Sequence, residues 1–254
     1  ISRNGFLCYN LPMSYTLSAK LLLYSESEIT HKKIATFVIT IPKFLQAQIN
    51  SHRALSRNSG SSRAIPAKII RKRVMEHPFI PVEFGHNQPG MRGGKEVSGI
   101  RLVLAKRIWL WARFIPCFFH YVGEKLNIHK EVLNRLIEPW MFTQVVLTGT
   151  EWNNFIKLRS ENAAQPEIQI IAKEIAAHLK NEKAQILKAD QWHLPFVSSE
   201  ELATYELEIT HKISAARCAR VSYKLYDGST SNIKSDITLC DRLIKMGHWS
   251  PFEH

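Results

Sequence analysis

The chain has 254 residues, a formal net charge of +12 and four cysteines. A chain of this length can bury a sizeable core as one large domain or two small ones, so it needs no disulfide scaffold. The cysteines lie far apart and include no Cys-x-x-Cys pair, which gives no support to a zinc ribbon or a redox pair and favours a reduced cytoplasm. The positive charge favours an anionic partner, which could be a nucleic acid, a membrane surface or a phosphorylated small molecule.

The N-terminal residues 1–12 lack the long apolar core and the cleavage pattern of a signal peptide. Met13, followed by Ser-Tyr-Thr, has the character of a natural start, so we expect residues 1–12 to be an upstream extension. The abrupt stop after His254 leads us to expect that the sequence is truncated there.

The first elements are predicted to be two strands, residues 21–23 and 34–41, and the second strand is rich in β-branched residues. Pro42 ends this strand and suits the first turn of a helix over residues 43–50. The helix leads into residues 51–66, a loop rich in Ser, Arg and Gly whose short side chains leave backbone N–H groups free to meet a phosphate. A polar, basic surface loop is the alternative interpretation.

Residues 67–76 are predicted to form a basic amphipathic helix, and a Pro/Gly-rich connection, which could be a mobile lid or a plain loop, follows over residues 78–94. The next stretch, residues 100–122, is the one possible membrane span. It carries too many charges for a lipid-exposed helix, namely Arg101, Lys106, Arg107 and Arg113. We therefore expect a buried helix that begins near Ser98 and is kinked at Pro116.

The second half of the chain is predicted to be mainly helical. Residues 129–138 form a helix that stops at Pro139, residues 140–148 form a buried strand, and a helix capped by Thr150 and Glu151 runs to Arg159. Pro166 opens a strongly periodic helix whose apolar stripe belongs to the core or to a subunit interface. The remaining predicted elements are a polar loop over 183–199, helices over 199–207 and 212–221, a turn at Asp227-Gly228 and a helix over 233–246 that Gly247 closes.

The loop after the first helix contains His52-Arg53-x-x-Ser56-x-Asn58-x-x-Ser61-x-Arg63. Six fixed positions within twelve residues rarely arise by chance, and this spacing resembles the signature of the flavin-dependent thymidylate synthases (ThyX). Three further stretches resemble the same family: residues 35–48, residues 154–168 and residues 247–254, the last reading Gly-His-Trp-Ser-Pro-Phe-Glu-His. The resemblance implies an α+β fold, with an antiparallel or mixed sheet flanked by long helices, and a single catalytic domain over residues 13–254.

The order of these segments differs from the usual family order. The segment 247–254 follows the signature here, whereas in the family it precedes the signature. We therefore predict a circularly permuted member, similar to a branch often found in phage genomes. Such a permutation is possible when the original termini lie close together at the surface.

The resemblance also implies roles for individual residues. FAD would be held by His52, Arg53, Asn58, Asn154, Ser250 and Glu253. Deoxyuridylate (dUMP) would be held by Gln48, Ser61, Arg63, Arg135 and Arg159, with Arg63 and Arg135 near the phosphate and Arg159 at the uracil. The catalytic residues would be Arg159, Ser61 and His248, and no metal is implied. A lone helical arginine such as Arg135 is nevertheless usually solvated or ion-paired, and His248 could simply be packed beside Trp249.

The sequence departs from the family pattern at several positions. Ser51 replaces a usual Arg, Ser59 a usual Glu and Ala64 a usual Tyr. The Asn-x-Arg that often contacts the flavin appears here only as residues 150–152, Thr-Glu-Trp. The affinity and geometry of flavin binding are thus less determined by the sequence than the fold is.

No cysteine has a neighbouring base that would make it a nucleophile, so the cysteine-based route to uracil methylation has no candidate. The resemblance implies instead an FAD-dependent thymidylate synthase that converts dUMP to dTMP with 5,10-methylenetetrahydrofolate and NADPH, as a homotetramer with shared active sites. A phage-type enzyme that leaves a hydroxymethyl group is an alternative. A basic nucleic-acid-binding protein is the alternative from another class, although no nucleic-acid-binding motif is recognisable.

Overall fold

A computed structural model of the protein describes residues 14–221 and 232–254. The described residues form a five-stranded mixed sheet in the order β3-β4-β2-β1-β5. The strands are β1 (Ser18–Ser27), β2 (Lys33–Pro42), β3 (Ser56–Ser59), β4 (Phe142–Gly149) and β5 (Gln185–Leu187). All neighbouring strands are antiparallel except β1 and β5, which are parallel. The predicted α+β class with a mixed sheet is confirmed.

Helices flank this sheet. They are α1 (Gln46–Asn50), α2 (Ala67–Glu76), α3 (Ile100–Ala112), α4 (Phe114–Lys125), α5 (Lys130–Leu133), α6 (Asn153–Ser160), α7 (Pro166–Asn181), α8 (Ser199–Thr204), α9 (Leu207–Ala219) and α10 (Ile233–Lys245). Three short 3-10 helices accompany them: Lys43–Leu45, Asn134–Trp140 and Ser250–Phe252. The predicted strands 21–23 and 34–41 and the helices 43–50, 67–76 and 233–246 are all found, with boundaries shifted by a few residues.

The central strands are buried on both faces, because successive side chains of a strand point to opposite sides. Phe37 and Ile39 of β2 pack with Ile171 of α7 in the main core, whereas Val38 packs with Cys218 of α9 on the other face. The apolar stripe of α7 is therefore part of the core.

The stretch predicted as one buried helix is two helices, α3 and α4, which meet at Arg113. Pro116 lacks the N–H that would bond to the carbonyl of residue 112, so the break falls in the turn before the proline. The prediction of burial is wrong for α3, which contains no buried residue, and Ile100 is 70% exposed. It holds in part for α4, which buries Cys117 and His120, although Ile115 is 67% exposed. In the two described ranges, no helix is long and apolar enough to cross a membrane.

Several smaller predictions are also corrected. The 3-10 helix that follows α5 runs through Pro139 to Trp140 instead of stopping before the proline. Trp152 is the N-cap of α6 and makes no side-chain cap bond, so Thr150 and Glu151 do not cap that helix. Short strands interrupt two predicted loops, β3 within residues 51–66 and β5 within residues 183–199, and the helix predicted over 212–221 begins earlier, at Leu207. The predicted turn at Asp227-Gly228 lies outside the described residues.

The C-terminal segment returns to the sheet. Gly247 has a φ of +69°, a left-handed conformation that glycine adopts without strain, and it ends α10 as predicted. The Ser250 hydroxyl then donates to the carbonyl oxygen of Arg57 on β3 over 2.7 Å, and Nδ1 of His254 lies 2.8 Å from Oγ1 of Thr148 on β4. The end of the described chain thus lies against β3, which is part of the signature, and against its neighbour β4.

Candidate functional site

Arg159, near the end of α6, connects the helix to the signature region. Its Nε donates to Nε2 of His52 over 2.8 Å, and a terminal nitrogen donates to the Ser51 hydroxyl over 3.1 Å. The same nitrogen lies 3.4 Å from the carbonyl oxygen of Gln48. The structure therefore brings together three predicted site residues, Gln48, His52 and Arg159, from two separate parts of the sequence.

His52 is half-buried, and its ring packs edge-on against Phe155 with the ring centroids 4.9 Å apart. Burial, followed by the positive charges of Arg159 and then Arg57, lowers the pKa of His52. Because an arginine can only donate, Nε2 of His52 must be an unprotonated acceptor in this contact. The ring is neutral at neutral pH, with its proton on Nδ1.

Gln48 meets Gln165, a residue to which the sequence assigned no role. Nε2 of Gln48 donates to Oε1 of Gln165 over 2.9 Å. The connection that carries Gln165 is held by Arg92, which donates to the carbonyl oxygen of Ala164 over 2.6 Å. The amide of Gln48 is therefore supported from the junction between α6 and α7.

The predicted phosphate-binding residues lie on a different part of the signature. Arg63 is exposed and donates to the carboxylate of Glu131 on α5 over 3.1 Å. Arg135 is also exposed and lies 3.9 Å from the carboxylate of Glu138, within the same 3-10 helix. Both cations thus project from one region, formed by the loop 61–65 (Ser61 to Ile65) and the helices that begin at Lys130. Ser61, half-buried, opens this loop.

Asn58 and Ser250 make contacts within the protein. Nδ2 of Asn58 donates to the carbonyl oxygen of Cys218 on α9 over 2.8 Å. Ser250 donates to the backbone of Arg57, as described above. These bonds tie β3 to α9 and to the C-terminal segment, and they leave Oδ1 of Asn58 and the lone pairs of the Ser250 hydroxyl free to accept.

The four remaining predicted residues, Arg53, Asn154, His248 and Glu253, are exposed. Within residues 14–221 and 232–254, no hydrogen bond or ion pair joins the side chain of Arg53, Asn154 or Glu253 to another predicted site residue. The structure thus gathers Gln48, His52 and Arg159, and separately the loop 61–65 with Arg135, and among the described residues it joins the side chains of Arg53, Asn154 and Glu253 to neither group by a hydrogen bond or ion pair.

The cysteines in the described part of the chain, Cys117, Cys218 and Cys240, are buried and unbridged. Burial raises the pKa of all three thiols, to about 11 for Cys240. A thiolate nucleophile is therefore disfavoured at each of these positions. Among the same described residues, no group of His, Cys, Asp and Glu side chains could hold a metal ion.

Comparison with known protein families gives a match over residues 16–183 to Thy1, the thymidylate synthase complementing protein family. The match covers more than half of the 254 residues and includes the signature, α6 and all of α7. The chain belongs to the Thy1 family. The segment 247–254 lies beyond the matched range, so the circular permutation stays a prediction.

Two solved structures share the Thy1 chain's fold. They are crystal structures of the UMP/dUMP methylase PolB from Streptomyces cacaoi, one bound with 5-Br dUMP and one with 5-Br UMP. Each has a TM-score of 0.51 and 14% identity, and each alignment covers 65% of this chain, with 90% and 88% of the PolB chain respectively. No curated protein sequence matches this Thy1 chain significantly.

Proposed function

We propose that this Thy1 protein is a flavin-dependent enzyme that methylates dUMP at C5 to give dTMP. The proposed cofactor is FAD, the one-carbon donor is 5,10-methylenetetrahydrofolate and the reductant is NADPH. The observation that carries the proposal is the convergence of Gln48, His52 and Arg159, which Arg159 joins through hydrogen bonds to His52 and to the backbone of Gln48. Gln48 comes from α1, His52 from the signature and Arg159 from α6, all within the range that matches the family.

The charges around the loop 61–65 suit the phosphate of dUMP. Arg63 and Arg135 now face the carboxylates of Glu131 and Glu138. Exposed ion pairs of this kind contribute only about 0–1 kcal/mol, so a phosphate can replace a carboxylate at little cost. A guanidinium also matches a phosphate through two parallel hydrogen bonds. We therefore assign this region to the phosphate of the nucleotide.

Arg159 is the residue we assign to the uracil ring. Its guanidinium is held by bonds to His52 and Ser51, and its position is therefore fixed before a ligand arrives. A fixed donor stabilises negative charge that develops on a carbonyl oxygen of the ring as the ring is activated to form a bond from C5 to the one-carbon unit. Gln48 adds an amide that can donate to and accept from the pyrimidine edge. Ser61 and His248 remain further candidates for direct contact with the reacting groups.

The residues proposed for FAD present a donor set that fits a dinucleotide. Arg53 offers an exposed cation for the pyrophosphate, and Asn154 offers an exposed amide. His52 adds the Nδ1–H donor of its ring, and Asn58, Ser250 and Glu253 add acceptors around β3 and the C-terminal segment. When bound, the flavin supplies the hydride that a uracil methylation without a cysteine nucleophile requires. The raised pKa of the three buried cysteines supports this route.

A homotetramer with shared sites is part of the proposal. The helices α3 and α4 expose many large apolar side chains: Ile100, Val103, Leu104, Ile108, Trp111, Phe114, Ile115, Phe118, Phe119 and Tyr121. Monomeric proteins rarely expose contiguous apolar patches larger than a few hundred Å². Association of copies through this apolar surface of α3 and α4 would cover it.

Turnover by the purified full-length chain tests the function. A yellow protein that converts dUMP in the presence of methylenetetrahydrofolate and NADPH supports the proposal, and mass spectrometry of the product separates a methyl from a hydroxymethyl group. UMP should be assayed beside dUMP, because PolB is described as acting on both. A colourless chain that gains no flavin spectrum on addition of FAD, and that instead binds DNA or RNA, would contradict the proposal.

A further inference from the structure

Asn134, the first residue of the 3-10 helix Asn134–Trp140, is completely buried behind the loop 61–65. Its Nδ2 donates to two carbonyl oxygens of this loop, that of Ser62 over 2.7 Å and that of Ile65 over 3.0 Å. Both hydrogens of one amide group are thus used to hold two points of the loop three residues apart. The residues between these two points include Arg63.

The orientation of the Asn134 amide is fixed by a chain of hydrogen bonds in which the donor and the acceptor of each bond can be assigned in only one way. The Arg71 guanidinium, which forms an ion pair with Glu124, contacts Nδ1 of His120 at 3.2 Å. An arginine only donates, so Nδ1 accepts and the proton of the neutral ring lies on Nε2. Nε2 then donates to Oδ1 of Asn134 over 3.0 Å, which leaves the Asn134 NH₂ group pointing to the loop.

The neutral state of His120 agrees with its surroundings. The residue is completely buried, and burial is the main reason that its pKa is lowered. The positive charge of Arg71 lowers the pKa further, whereas the hydrogen bond with Asn134 and the negative charge of Glu124 raise it. A protonated ring could not accept from Arg71. Each hydrogen bond in the series from Glu124 through Arg71 and His120 to Asn134 therefore has one donor and one acceptor.

We propose that Asn134 is a positioning residue for the nucleotide phosphate, acting through the loop 61–65, which presents Ser61 and Arg63. The inference rests on the proposed function, since it takes the loop to be the phosphate site. A loop that is ordered before binding loses less conformational entropy when the ligand arrives, and affinity rises accordingly.

Glu138 and Lys130 also hold the same loop, but each holds one atom. Glu138 accepts from the Ser62 hydroxyl over 2.6 Å, and Lys130 donates to the carbonyl oxygen of Ala64 over 3.0 Å. Of Asn134, Glu138 and Lys130, only Asn134 bridges two backbone positions of the loop. The orientation of its amide is also fixed by the hydrogen bond from the buried His120. Removing Asn134 should loosen the loop most.

The test compares the binding of dUMP and deoxyuridine, which differ only in the phosphate, by calorimetry on the FAD-loaded protein. Loss of the two buried hydrogen bonds in Asn134→Ala should weaken dUMP binding by roughly tenfold, while deoxyuridine binding should change by less than about threefold. Asn134→Asp keeps the shape and the acceptor but has no N–H group, so it should behave as Asn134→Ala does. Melting temperatures are recorded for every variant.

Leu133→Ala is the matched control, because Leu133 is the neighbouring buried residue and its side chain packs against Gly123 of α4. It should lower the melting temperature but keep the wild-type ratio of dUMP to deoxyuridine affinity. The inference would be overturned if both Asn134 variants kept the wild-type ratio of dUMP to deoxyuridine affinity. It would also be overturned if Leu133→Ala lowered this ratio as much as the Asn134 variants do. A wild-type protein that binds no dUMP would contradict the proposed function itself.

Discussion

The guanidinium of Arg159 donates a hydrogen bond to the imidazole of His52 across 2.8 Å. The bond joins a residue proposed for the uracil to a residue proposed for the flavin. It also needs a neutral imidazole, and burial together with Arg159 and Arg57 lowers the pKa of His52 in agreement with this. In the proposed hydride transfer the flavin and uracil rings would have to lie next to each other. His52 and Arg159, which we assign to these two rings, are already in contact.

Replacement of Arg159 should separate catalysis from folding. An arginine that stabilises charge only in the transition state is worth about 2.7–4 kcal/mol, so Arg159→Ala should lower turnover by about 10²–10³-fold. Arg159→Lys should recover only part of this loss, because a point charge cannot reproduce the planar fork of donors that reaches His52 and Ser51. Turnover with dUMP, flavin content and melting temperature are measured for each variant.

Lys157→Ala provides the control for the Arg159 variants, since Lys157 is an exposed cation on the same helix. It should leave turnover and melting temperature unchanged. Arg159 variants that melt early but turn over normally once folded would show that the residue has a structural role only.

The extent to which the sequence predicts this site can be judged from particular residues. The signature and α6 are marked by motifs, so Gln48, His52 and Arg159 could be named, and their convergence follows from the fold. Ser51 was noted only as a departure from the family pattern, yet its hydroxyl accepts from Arg159. Gln165 lies in a stretch that resembles the family, but a lone glutamine carries no pattern that indicates a partner.

Asn134 and His120 could not be predicted, because their roles depend on tertiary contacts between helices that are distant in sequence. The exposure of α3 is a similar case. Its apolar residues lie all around the helix, and such a pattern is typical of a buried helix. Only the packed structure shows that Trp109 anchors α3 through a bond to the Phe79 carbonyl while most of the large apolar side chains of α3 are exposed.

Deletion of residues 248–254 should abolish flavin retention, whereas deletion of residues 1–12 should not. The C-terminal segment carries three residues proposed for the site and contacts β3 through Ser250 and β4 through His254. Flavin content after gel filtration is the measurement. Retention of flavin by the C-terminal deletion would show that the proposed permuted alignment is wrong.

A charge placed on the apolar surface of α3 and α4 should break the proposed tetramer. Trp111→Asp or Phe118→Asp would bury an unpaired carboxylate in the interface between copies, which is strongly unfavourable. Size-exclusion chromatography with light scattering should show smaller species for both variants. Ile29→Asp, at an exposed apolar residue in the turn between β1 and β2, is the control and should leave the mass unchanged. A wild-type monomer would contradict the prediction.

Asp236 should be essential for stability. This buried carboxylate accepts from Arg217 and from Arg220, both over 2.9 Å, and Arg217 is itself almost fully buried. Removing one partner of a buried ion pair typically costs about 3–5 kcal/mol. Arg217 keeps its ion pair with Glu201 in Asp236→Ala, so the free energy of unfolding should fall by about 3 kcal/mol, the lower end of this range.

Asp241→Ala is the comparison for Asp236, because Asp241 lies on the same helix and its pair with Lys212 is largely exposed. Its loss should cost about 1 kcal/mol or less. Urea unfolding at neutral pH measures both variants. Equal effects at the two positions would contradict the assignment of Asp236 as a buried counter-ion.

His193 should make the protein sensitive to mild acid. Its ring lies 2.8 Å from the hydroxyls of both Ser25 and Thr36, which are buried, and burial lowers the pKa of His193 to about 4. The pKa of an unfolded histidine is about 6.5, so between roughly pH 6.5 and pH 4 the unfolded state binds more protons than the folded state. The free energy of unfolding should therefore be constant above about pH 6.5 and fall as the pH is lowered towards 4, by up to about 3 kcal/mol from this residue.

The measurement is urea unfolding at several pH values between 7.5 and 4.5 for the wild type, His193→Gln and His86→Gln. His193→Gln cannot take up the proton, so its stability should fall less over this window, although it is less stable at neutral pH because a packed, hydrogen-bonded ring is lost. The slope should not vanish, since burial and then the neighbouring His193 also lower the pKa of His254 to about 4 in the wild type, and His254 remains in the variant. His86 is exposed in the connection between α2 and α3, and its replacement should leave the wild-type slope intact. If His193→Gln lost stability as steeply as the wild type, the acid sensitivity would have to arise from groups other than the imidazole of His193.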